Sequence, residues 1–176
     1  MIFFSIPTDA SRRAQPEQVE KMYRKYSDMI YRIAFVRTLN ASDSEDVLQE
    51  VFCRYIRFYP SFTDAGHEKA WFIRAAVNCS NTLLNSAWKR HTALGREPSE
   101  DVGEDITTRM ERDTEVYHAV MQLPRDQRTA VHLYYYEDCT VEQIAKLTSS
   151  TKSAVKSRLF RAREELHRQL KEDIDV

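Results

Sequence analysis

A basic stretch near the C terminus carries side chains of the kind that recognise bases in duplex DNA. On a helix with about 100° between successive residues, one side of this stretch carries Lys156, Ser157, Phe160 and Arg161. Lys and Arg side chains reach the acceptors on guanine, and an apolar ring packs against the thymine methyl group. A lone exposed Phe is also common on ordinary protein surfaces. Its basic neighbours favour contacts with base edges in the major groove.

Three further side chains near the same helix suit contacts with DNA phosphates, namely Lys152, Ser153 and Arg158. The start of a helix favours anions, and Arg158 falls at the edge of the base-reading side. The alternative is that all of these charges form only a solvated helix face. The pattern that precedes them favours DNA.

That pattern predicts a helix-turn-helix over residues 140–170. Thr140 followed by Gln143 is the signature of a capping box, which starts a short helix. Polar residues then interrupt this helix, and either Thr151 or Ser153 caps the next one. The core side of the second helix carries Val155, Leu159, Ala162 and Leu166. In such a motif the second helix enters the major groove.

A second chemical signal lies on the predicted helix Lys69–Lys89. Its apolar face includes Phe72, Ile73, Ala76 and Val77, and its opposite face carries Trp71, Arg74, Asn78 and Asn81. Asn is a poor helix former, so helix stability does not explain the polar face. A ring that stacks, amides that read base edges and an Arg that holds phosphate suit splayed single-stranded bases. Trp71 can instead pack beneath the loop 60–68, and the two interpretations are compatible.

The predicted helix Ser42–Tyr59 presents another polar face. Ser42 or Ser44 caps it, and acidic residues occupy its first turn. The exposed side carries Asp46, Gln49, Glu50 and Cys53. By residue type alone this is an ordinary solvated face, because no second carboxylate site or His partner makes it a general acid–base pair.

Composition and charge argue against several classes of function. The formal net charge is −1, but the charges are segregated along the chain, since residues 91–113 are acidic and residues 152–171 are basic. The 3 Gly residues form no phosphate-binding loop, and the 3 Cys residues show no metal-ligand spacing. Reduced thiols suit the cytosol. No apolar run approaches a membrane span, and the apolar Met1–Phe4 is too short for a signal peptide.

Helical periodicity divides the chain into two small domains. We expect a loose arm over residues 1–16, a helical domain over 17–90, a linker over 91–113 and a helix-turn-helix domain over 114–176. No run of alternating β-branched residues predicts a sheet. The predicted fold is all-α, with two small helical domains joined by a flexible acidic linker.

Several segments of the C-terminal half form a known pattern, namely Leu123–Pro124, Arg128, Leu133–Tyr135, Thr140–Ala145 and Val155–Leu166. Together they resemble region 4 of the extracytoplasmic-function (ECF) RNA polymerase sigma factors, the minimal group of the sigma-70 family. The resemblance implies that this domain reads the minus-thirty-five promoter element with the base-reading side defined above. One departure is Ser153–Ala154, where family members often carry Gly-Thr. The way the chain enters the second helix can therefore differ from that in other family members.

The segment Asp46–Phe52 resembles region 2.2 of the same family, which docks on the clamp helices of the polymerase. The resemblance implies that the polymerase-binding residues are Asp46, Gln49, Glu50 and Cys53. Arg54 and Arg57 become candidate ion-pair partners. The earlier helix 19–36 resembles the opening of region 2, and we expect it to be chiefly core.

The segment Trp71–Asn78, preceded by Ser61–Phe62, resembles regions 2.3–2.4. In the family, a loop and a helix there capture a base flipped out of the melted minus-ten element. Loss of stacking must be offset by a shaped pocket. The resemblance implies contacts from the loop Phe62–Lys69 and from Asn78, although this loop is more acidic than a DNA pocket should be. With the polar face described above, the expected set for the melted minus-ten strand is Phe62, Trp71, Arg74, Asn78 and Asn81.

We therefore expect a sigma factor that binds core RNA polymerase and directs promoter recognition, melting and initiation. The resemblance implies a cytoplasmic protein with no catalytic residues, metal or cofactor. The expected partners are core RNA polymerase, promoter DNA and, from the family, an anti-sigma factor, with no small-molecule substrate and no membrane insertion. The acidic linker would thread near the template path of the polymerase, where it mimics nucleic-acid charge.

Two alternatives are weighed against this interpretation. A conventional helix-turn-helix regulator would be a dimer and would bind a palindromic site without polymerase. It leaves the Asn-rich face and the docking motif unexplained. An enzyme acting on nucleic acid would need a metal-ligand cluster, a nucleophile–base pair or a phosphate loop, and the sequence shows none of these.

Overall fold

Within residues 14–94 and 115–172, which the computed structural model describes, the chain forms seven helices and no strand. The helices are α1 (Pro16–Thr38), α2 (Ala41–Phe58), α3 (Ala65–Leu94), α4 (Glu115–Gln122), α5 (Arg125–Tyr135), α6 (Val141–Leu147) and α7 (Lys152–Glu172). The prediction of an all-α fold is confirmed. No helix in these ranges has the length and apolar character needed to cross a bilayer.

The N-terminal bundle of α1, α2 and α3 closes around a core rich in aromatic rings. Its most deeply buried side chains include Ile30, Ile33, Val51, Tyr55 and Phe72. The Phe72 ring stacks on Tyr26 with centroids 4.5 Å apart and lies 5.4 Å from the ring of Tyr55. Removing a buried Phe side chain costs about 3–5 kcal/mol. This packing therefore fixes which sides of α2 and α3 face outward.

The start of α2 differs from the prediction. Asn40, rather than Ser42 or Ser44, caps the helix, and its side-chain oxygen accepts a 2.9 Å hydrogen bond from the backbone N–H of Asp43. Ser44 is buried one turn into the helix, where its hydroxyl donates to the Asn40 carbonyl at 2.5 Å. The predicted cap was wrong because several residues in this segment have capping side chains.

The start of α3 also differs, since the helix begins four residues before the predicted start at Lys69. Asp64 stabilises the first turn because its Oδ1 accepts a 2.8 Å hydrogen bond from the backbone N–H of His67. This bond lowers the pKa of the Asp64 carboxyl. Glu68 accepts from two side chains of α1, Lys25 at 2.6 Å and Tyr26 at 2.7 Å. Both acidic side chains thus serve the fold, which explains their presence beside a candidate DNA pocket.

Parts of the predicted organisation lie outside the described residues. At its C-terminal end α3 continues to Leu94, so it covers residues 91–94, the first residues of the predicted linker. The rest of that linker, the first 13 residues of the arm and the last four residues of the chain fall outside the described ranges.

The C-terminal domain contains the predicted helix-turn-helix. The capping box is confirmed, since the Gln143 N–H donates to Thr140 Oγ1 at 3.2 Å and the Thr140 N–H donates to Gln143 Oε1 at 2.8 Å. Ser149 adopts φ 53° in the turn. The next residue, Ser150, then donates from its N–H to the Ala145 carbonyl at 2.8 Å. This left-handed cap fixes the direction in which α7 leaves α6.

The two domains pack against each other, with α1 on α5 and α3 on α6. Arg128 of α5 donates from Nε to the carbonyl oxygen of Val36 in α1. At the other end of the interface, Lys69 of α3 forms a 3.0 Å ion pair with Glu137, which follows α5. The domains are thus closed against each other, an arrangement that no sequence pattern predicts.

Candidate nucleic-acid and polymerase interfaces

The base-reading side of α7 is open to solvent. Lys156, Ser157, Phe160 and Arg161 are all exposed, and Phe160 is 63% exposed. The opposite side of the helix is buried, with Val155, Leu159 and Ala162 at most 3% exposed. A large ring surrounded by donors can therefore approach a flat partner without disturbing the core. The four side chains are brought together as the sequence indicated, and their contacts with DNA stay a prediction.

The entry to α7 does not depend on the residues in which this chain departs from the family. Thr151 caps the helix, since its Oγ1 accepts a 3.1 Å hydrogen bond from the backbone N–H of Ala154. Lys152 and Ser153 are exposed beside this cap. Lys152 pairs with Glu142 at 2.9 Å, and both side chains are more than half exposed. Such an exposed pair contributes little to stability, so Lys152 can exchange it for a phosphate.

Arg158 occupies a different environment from the other predicted phosphate contacts. One of its guanidinium nitrogens donates to Ser150 Oγ at 2.7 Å, and another lies 3.1 Å from Asp126 Oδ2. The side chain is 29% exposed. The Arg158 side chain of α7 is therefore held between the turn of the helix-turn-helix and the first turn of α5. Its contact with DNA phosphate stays a prediction, and this contact would compete with Asp126.

The predicted polymerase-docking face of α2 is exposed at all four positions, Asp46, Gln49, Glu50 and Cys53. Glu50 forms a 2.7 Å ion pair with Arg54 one turn later. This confirms Arg54 as an ion-pair partner on this face, although both groups are partly solvated. The pair leaves the Asp46 carboxylate and the Gln49 amide for a partner.

An apolar component that was not predicted from the sequence lies beside this face. Ile56 is 49% exposed and follows Cys53 by three residues, so the two lie on neighbouring parts of the same helix side. Tyr23 of α1 is 47% exposed, and its ring lies 5.0 Å from that of Phe52. An apolar centre with a polar rim is the usual anatomy of a protein interface. The i, i+3 spacing of Cys53 and Ile56, which places both on one side of the helix, was the sequence signal for this apolar component.

Two residues of the predicted minus-ten set belong to the aromatic cluster of the N-terminal bundle. Phe62 and Trp71 are half-buried, with ring centroids 6.0 Å apart. Trp71 also lies edge-on to Phe72 at 5.0 Å. Trp71 thus packs against the loop before α3, as one of the two interpretations of its role required. Its remaining surface lines a cavity of about 720 Å³ between the domains.

The other members of the set face the C-terminal domain. Arg74 donates a 2.8 Å hydrogen bond to the carbonyl oxygen of Lys146 in α6. Asn81 accepts a 2.6 Å hydrogen bond from Arg37. Asn78 is exposed and lines the same cavity as Trp71. In this arrangement α6 lies against part of the face that the sequence assigns to the melted strand, and Asn78 stays exposed.

The chain matches two family descriptions. "Sigma-70 region 2" matches residues 22–90, and "Sigma-70, region 4" matches residues 113–166. One relative, the RNA polymerase sigma factor SigV of Bacillus subtilis, is 28% identical over 145 residues, which cover 82% of this chain and 86% of the relative. Another, the ECF RNA polymerase sigma-E factor of Haemophilus influenzae, is 31% identical over 149 residues, which cover 73% of this chain and 75% of the relative.

A solved structure shares the fold. The sigma factor RpoE of Bartonella quintana, determined together with the anti-sigma factor NepR, aligns over 88% of this chain and 98% of its own with a TM-score of 0.65. Sequence identity in that alignment is 19%, so the likeness extends to the fold alone. The family is shown by the sequence matches and not by this likeness of fold. This chain belongs to the ECF RNA polymerase sigma factors of the sigma-70 family.

Proposed function

We propose that the two domains of this sigma factor make separate promoter contacts, brought to DNA by core RNA polymerase. The N-terminal domain (residues 17–90) docks on the polymerase and holds the melted minus-ten strand. The C-terminal domain (residues 114–176) reads the minus-thirty-five duplex. The observation that carries this proposal is Phe160, 63% exposed among Lys156, Ser157 and Arg161 and opposite a buried stripe.

The upstream contact follows from the chemistry of α7. Lys156 and Arg161 supply donors for guanine, and Phe160 supplies an apolar surface for a thymine methyl group. Lys152 and Ser153 lie at the start of the helix, where phosphate is favoured, and Arg158 adds a third backbone contact. Base contacts then set the sequence that is read, while phosphate contacts set the register.

The polymerase contact uses α2. Asp46, Gln49 and Glu50 offer two carboxylates and an amide to basic or polar groups of the partner. The exposed Cys53 and Ile56 add apolar surface that a polar partner alone would not cover. This mixture suits docking on a protein rather than on DNA, because two carboxylates repel phosphate.

The contact with the melted strand requires the domains to separate. Arg74 is engaged by the Lys146 carbonyl and Asn81 by Arg37, while the exposed Asn78 lines the cavity between the domains. Flipped bases stack on rings and pair with amides only when these groups are reachable. Docking of α2 and α7 at distant sites on polymerase and promoter would supply the free energy for this separation.

The other partners follow from the same assignment. An anti-sigma factor is an expected partner, as the Bartonella RpoE–NepR complex illustrates for a protein of the same fold. The protein acts in the cytoplasm, where polymerase and promoter DNA are found, and without catalysis of its own. The alternative of a dimeric helix-turn-helix regulator is not favoured, because both halves of the chain match sigma-70 regions.

Run-off transcription with core polymerase and a genomic promoter library tests the proposal. We expect initiation from a specific subset of promoters only when both the chain and the core enzyme are present. Phe160→Ala should reduce output from those promoters, whereas Val116→Ala, which also truncates an exposed apolar side chain but on α4, should not. Absence of any initiation that depends on the chain would overturn the proposal.

A further inference from the structure

A small polar cavity lies where the two domains meet, apart from the large cavity beside Trp71. Its volume is about 210 Å³, and its polar lining includes Arg37, Asn81, Arg125, Asp126, Ser150 and Arg158. These residues come from α1 and α3 on one side and from α5, α7 and the turn of the helix-turn-helix on the other. The proposed promoter contacts use Arg158 and give no role to Arg37 or Arg125.

Arg37 is the most unusual residue of this cavity. It is 5% exposed, and its guanidinium donates to Thr129 Oγ1 at 2.9 Å and to Asn81 Oδ1 at 2.6 Å. Both acceptors are neutral, and its Nε has no hydrogen-bond partner. A buried charge without an opposite charge is costly, and proteins normally pair it. The cavity thus contains a guanidinium whose charge no carboxylate contact balances among the described residues.

The surrounding charges increase this imbalance. Asp126 is the acidic residue of the cavity, and it is already shared between Arg158 at 3.1 Å and Arg125 at 3.7 Å. Three guanidinium groups and one carboxylate leave an excess of two positive charges. Burial, together with the neighbouring Arg125, lowers the pKa of Arg37 to about 10, so its guanidinium remains charged at neutral pH. An anion in the cavity would relieve this repulsion.

We propose that this cavity is a binding site for a small oxyanion of the phosphate class, held by Arg37, Arg125 and Arg158. Guanidinium groups match the geometry of phosphate oxygens and bind them through paired hydrogen bonds. The Asn81 amide nitrogen adds a neutral donor on the α3 side. The resulting site draws donors from both domains.

The size of the cavity favours a free ion over a larger ligand. Pockets for drug-sized molecules have volumes of about 300–1,000 Å³, whereas one water occupies about 30 Å³. A volume of about 210 Å³ therefore accommodates a polyatomic anion with a few waters. A phosphate within a DNA strand would force its sugars against the walls around the buried Arg37.

The bound anion would also act on the arrangement of the domains. Arg37 belongs to α1, whereas Arg125 and Arg158 belong to α5 and α7. An oxyanion that contacts all three joins the two domains, because it binds the closed arrangement and not the separated one. None of the base-reading residues of α7 lines the cavity, and Arg158 is the one residue that this site shares with the proposed promoter contacts.

Isothermal titration calorimetry of the full chain with inorganic phosphate, at constant ionic strength, tests the site. We expect saturable binding at one site per chain. Arg125→Gln should weaken it at least about tenfold, because a charge-assisted contact is lost. Arg125 is exposed, so this variant keeps the fold, which circular dichroism checks. Arg57→Gln, which removes the same charge from an exposed position of α2, should bind phosphate as the wild type does.

Pyrophosphate and adenosine monophosphate distinguish the possible sources of the oxyanion. Stronger binding of phosphate or pyrophosphate than of the nucleotide identifies a free ion. Stronger binding of the nucleotide identifies a phosphate carried by a nucleotide and overturns the argument from cavity size. Absence of saturable binding for all three probes, or equal affinities in the wild type and Arg125→Gln, overturns the site itself.

Discussion

Arg74 on α3 donates a 2.8 Å hydrogen bond to the backbone carbonyl of Lys146 on α6, the first helix of the helix-turn-helix. A residue assigned to the melted minus-ten strand therefore contacts the domain assigned to the minus-thirty-five element. In the family interpretation these two elements lie apart on the promoter. The closed arrangement and the promoter-bound one must therefore differ in the relative position of the domains.

The ion pair between Lys69 and Glu137 should help to hold the domains closed. The Glu137 side chain is 10% exposed, so Lys69→Glu would place two carboxylates together at the interface. We expect small-angle X-ray scattering to show an increase in the radius of gyration. Adding Glu137→Lys to this variant should restore the ion pair and return the radius of gyration to that of the wild type. Lys21→Glu, at an exposed position of α1, serves as the control for the charge change.

Phe160→Ala and Lys156→Ala should weaken recognition of the upstream element without affecting the fold. Each base contact contributes about 1–3 kcal/mol, so promoter binding by the holoenzyme should fall by roughly tenfold. Binding to core polymerase should stay unchanged, because α2 is untouched. Competition assays on one promoter with matched and mutated upstream elements measure the effect. If the variants lose affinity equally for both elements, α7 is not the reading helix.

The double variant Asp46→Ala/Gln49→Ala should weaken binding to core polymerase and leave recognition of the upstream element unchanged. Both side chains are exposed, so the melting temperature should remain that of the wild type. The affinity for core polymerase should fall by at least about tenfold, a loss of at least about 1.4 kcal/mol. The weak intrinsic affinity of the chain for upstream duplex should not change. Asp28→Ala, an exposed change on α1, is the matched control, and an equal loss in this variant would exclude α2 as a specific docking face.

Cys53 should report on polymerase docking. It is exposed, whereas burial raises the pKa of the Cys79 and Cys139 thiols to about 11. Reaction with iodoacetamide at pH 8 should therefore modify Cys53 rapidly and the other two slowly. Core polymerase in excess should slow the modification of Cys53. An unchanged rate in the complex would place the docking surface elsewhere.

His132 should make the stability of the C-terminal domain sensitive to acid. Burial, with a smaller contribution from Arg32, lowers the pKa of its imidazole to about 4, and Glu137 lies 3.7 Å from its Nε2. The ordinary value is about 6.5, so the unfolded chain takes up the proton first as the pH falls. The free energy of unfolding should thus decrease between pH 6.5 and 4, by up to about 3 kcal/mol from this group.

Urea denaturation of His132→Phe measures this contribution. A Phe retains a ring beside Tyr136, whose ring centroid lies 5.2 Å from that of His132. Relative to the wild type, the variant should become progressively more stable as the pH is lowered from 7 to 4.5. His118→Gln, an exposed change on α4, should show no such trend. A pH-independent difference between His132→Phe and the wild type would contradict the assigned cause.

Features that depend on neighbouring residues were predictable from the sequence. The capping box of Thr140 and Gln143 is visible as a spacing of three, and the exposed side of α7 follows from helical periodicity. The start of α2 was less clear, because Asn40, Ser42 and Ser44 all have capping side chains and only packing selects among them. Asp64 was missed as the cap of α3 because it lies among other polar residues.

Contacts between distant residues could not be predicted in this way. The hydrogen bond from Arg37 to Thr129 joins positions 92 apart in the chain. Arg37 follows an apolar segment and would ordinarily be taken as a solvated charge at a helix end. Likewise, no periodicity indicates that Glu68 is bound by Lys25 and Tyr26. The closed arrangement of the domains depends on pairs such as Arg37 and Thr129, so it appears only in the structure.

Footprinting on a promoter selected by run-off transcription tests the central claim most directly, namely that polymerase brings both promoter contacts to DNA. With core polymerase present, the chain should protect the minus-thirty-five duplex, and bases of the minus-ten element should become reactive to single-strand probes. The chain alone should give no specific protection at the same concentration. Specific protection of a palindromic duplex by the chain alone, with no change on adding polymerase, would contradict the account.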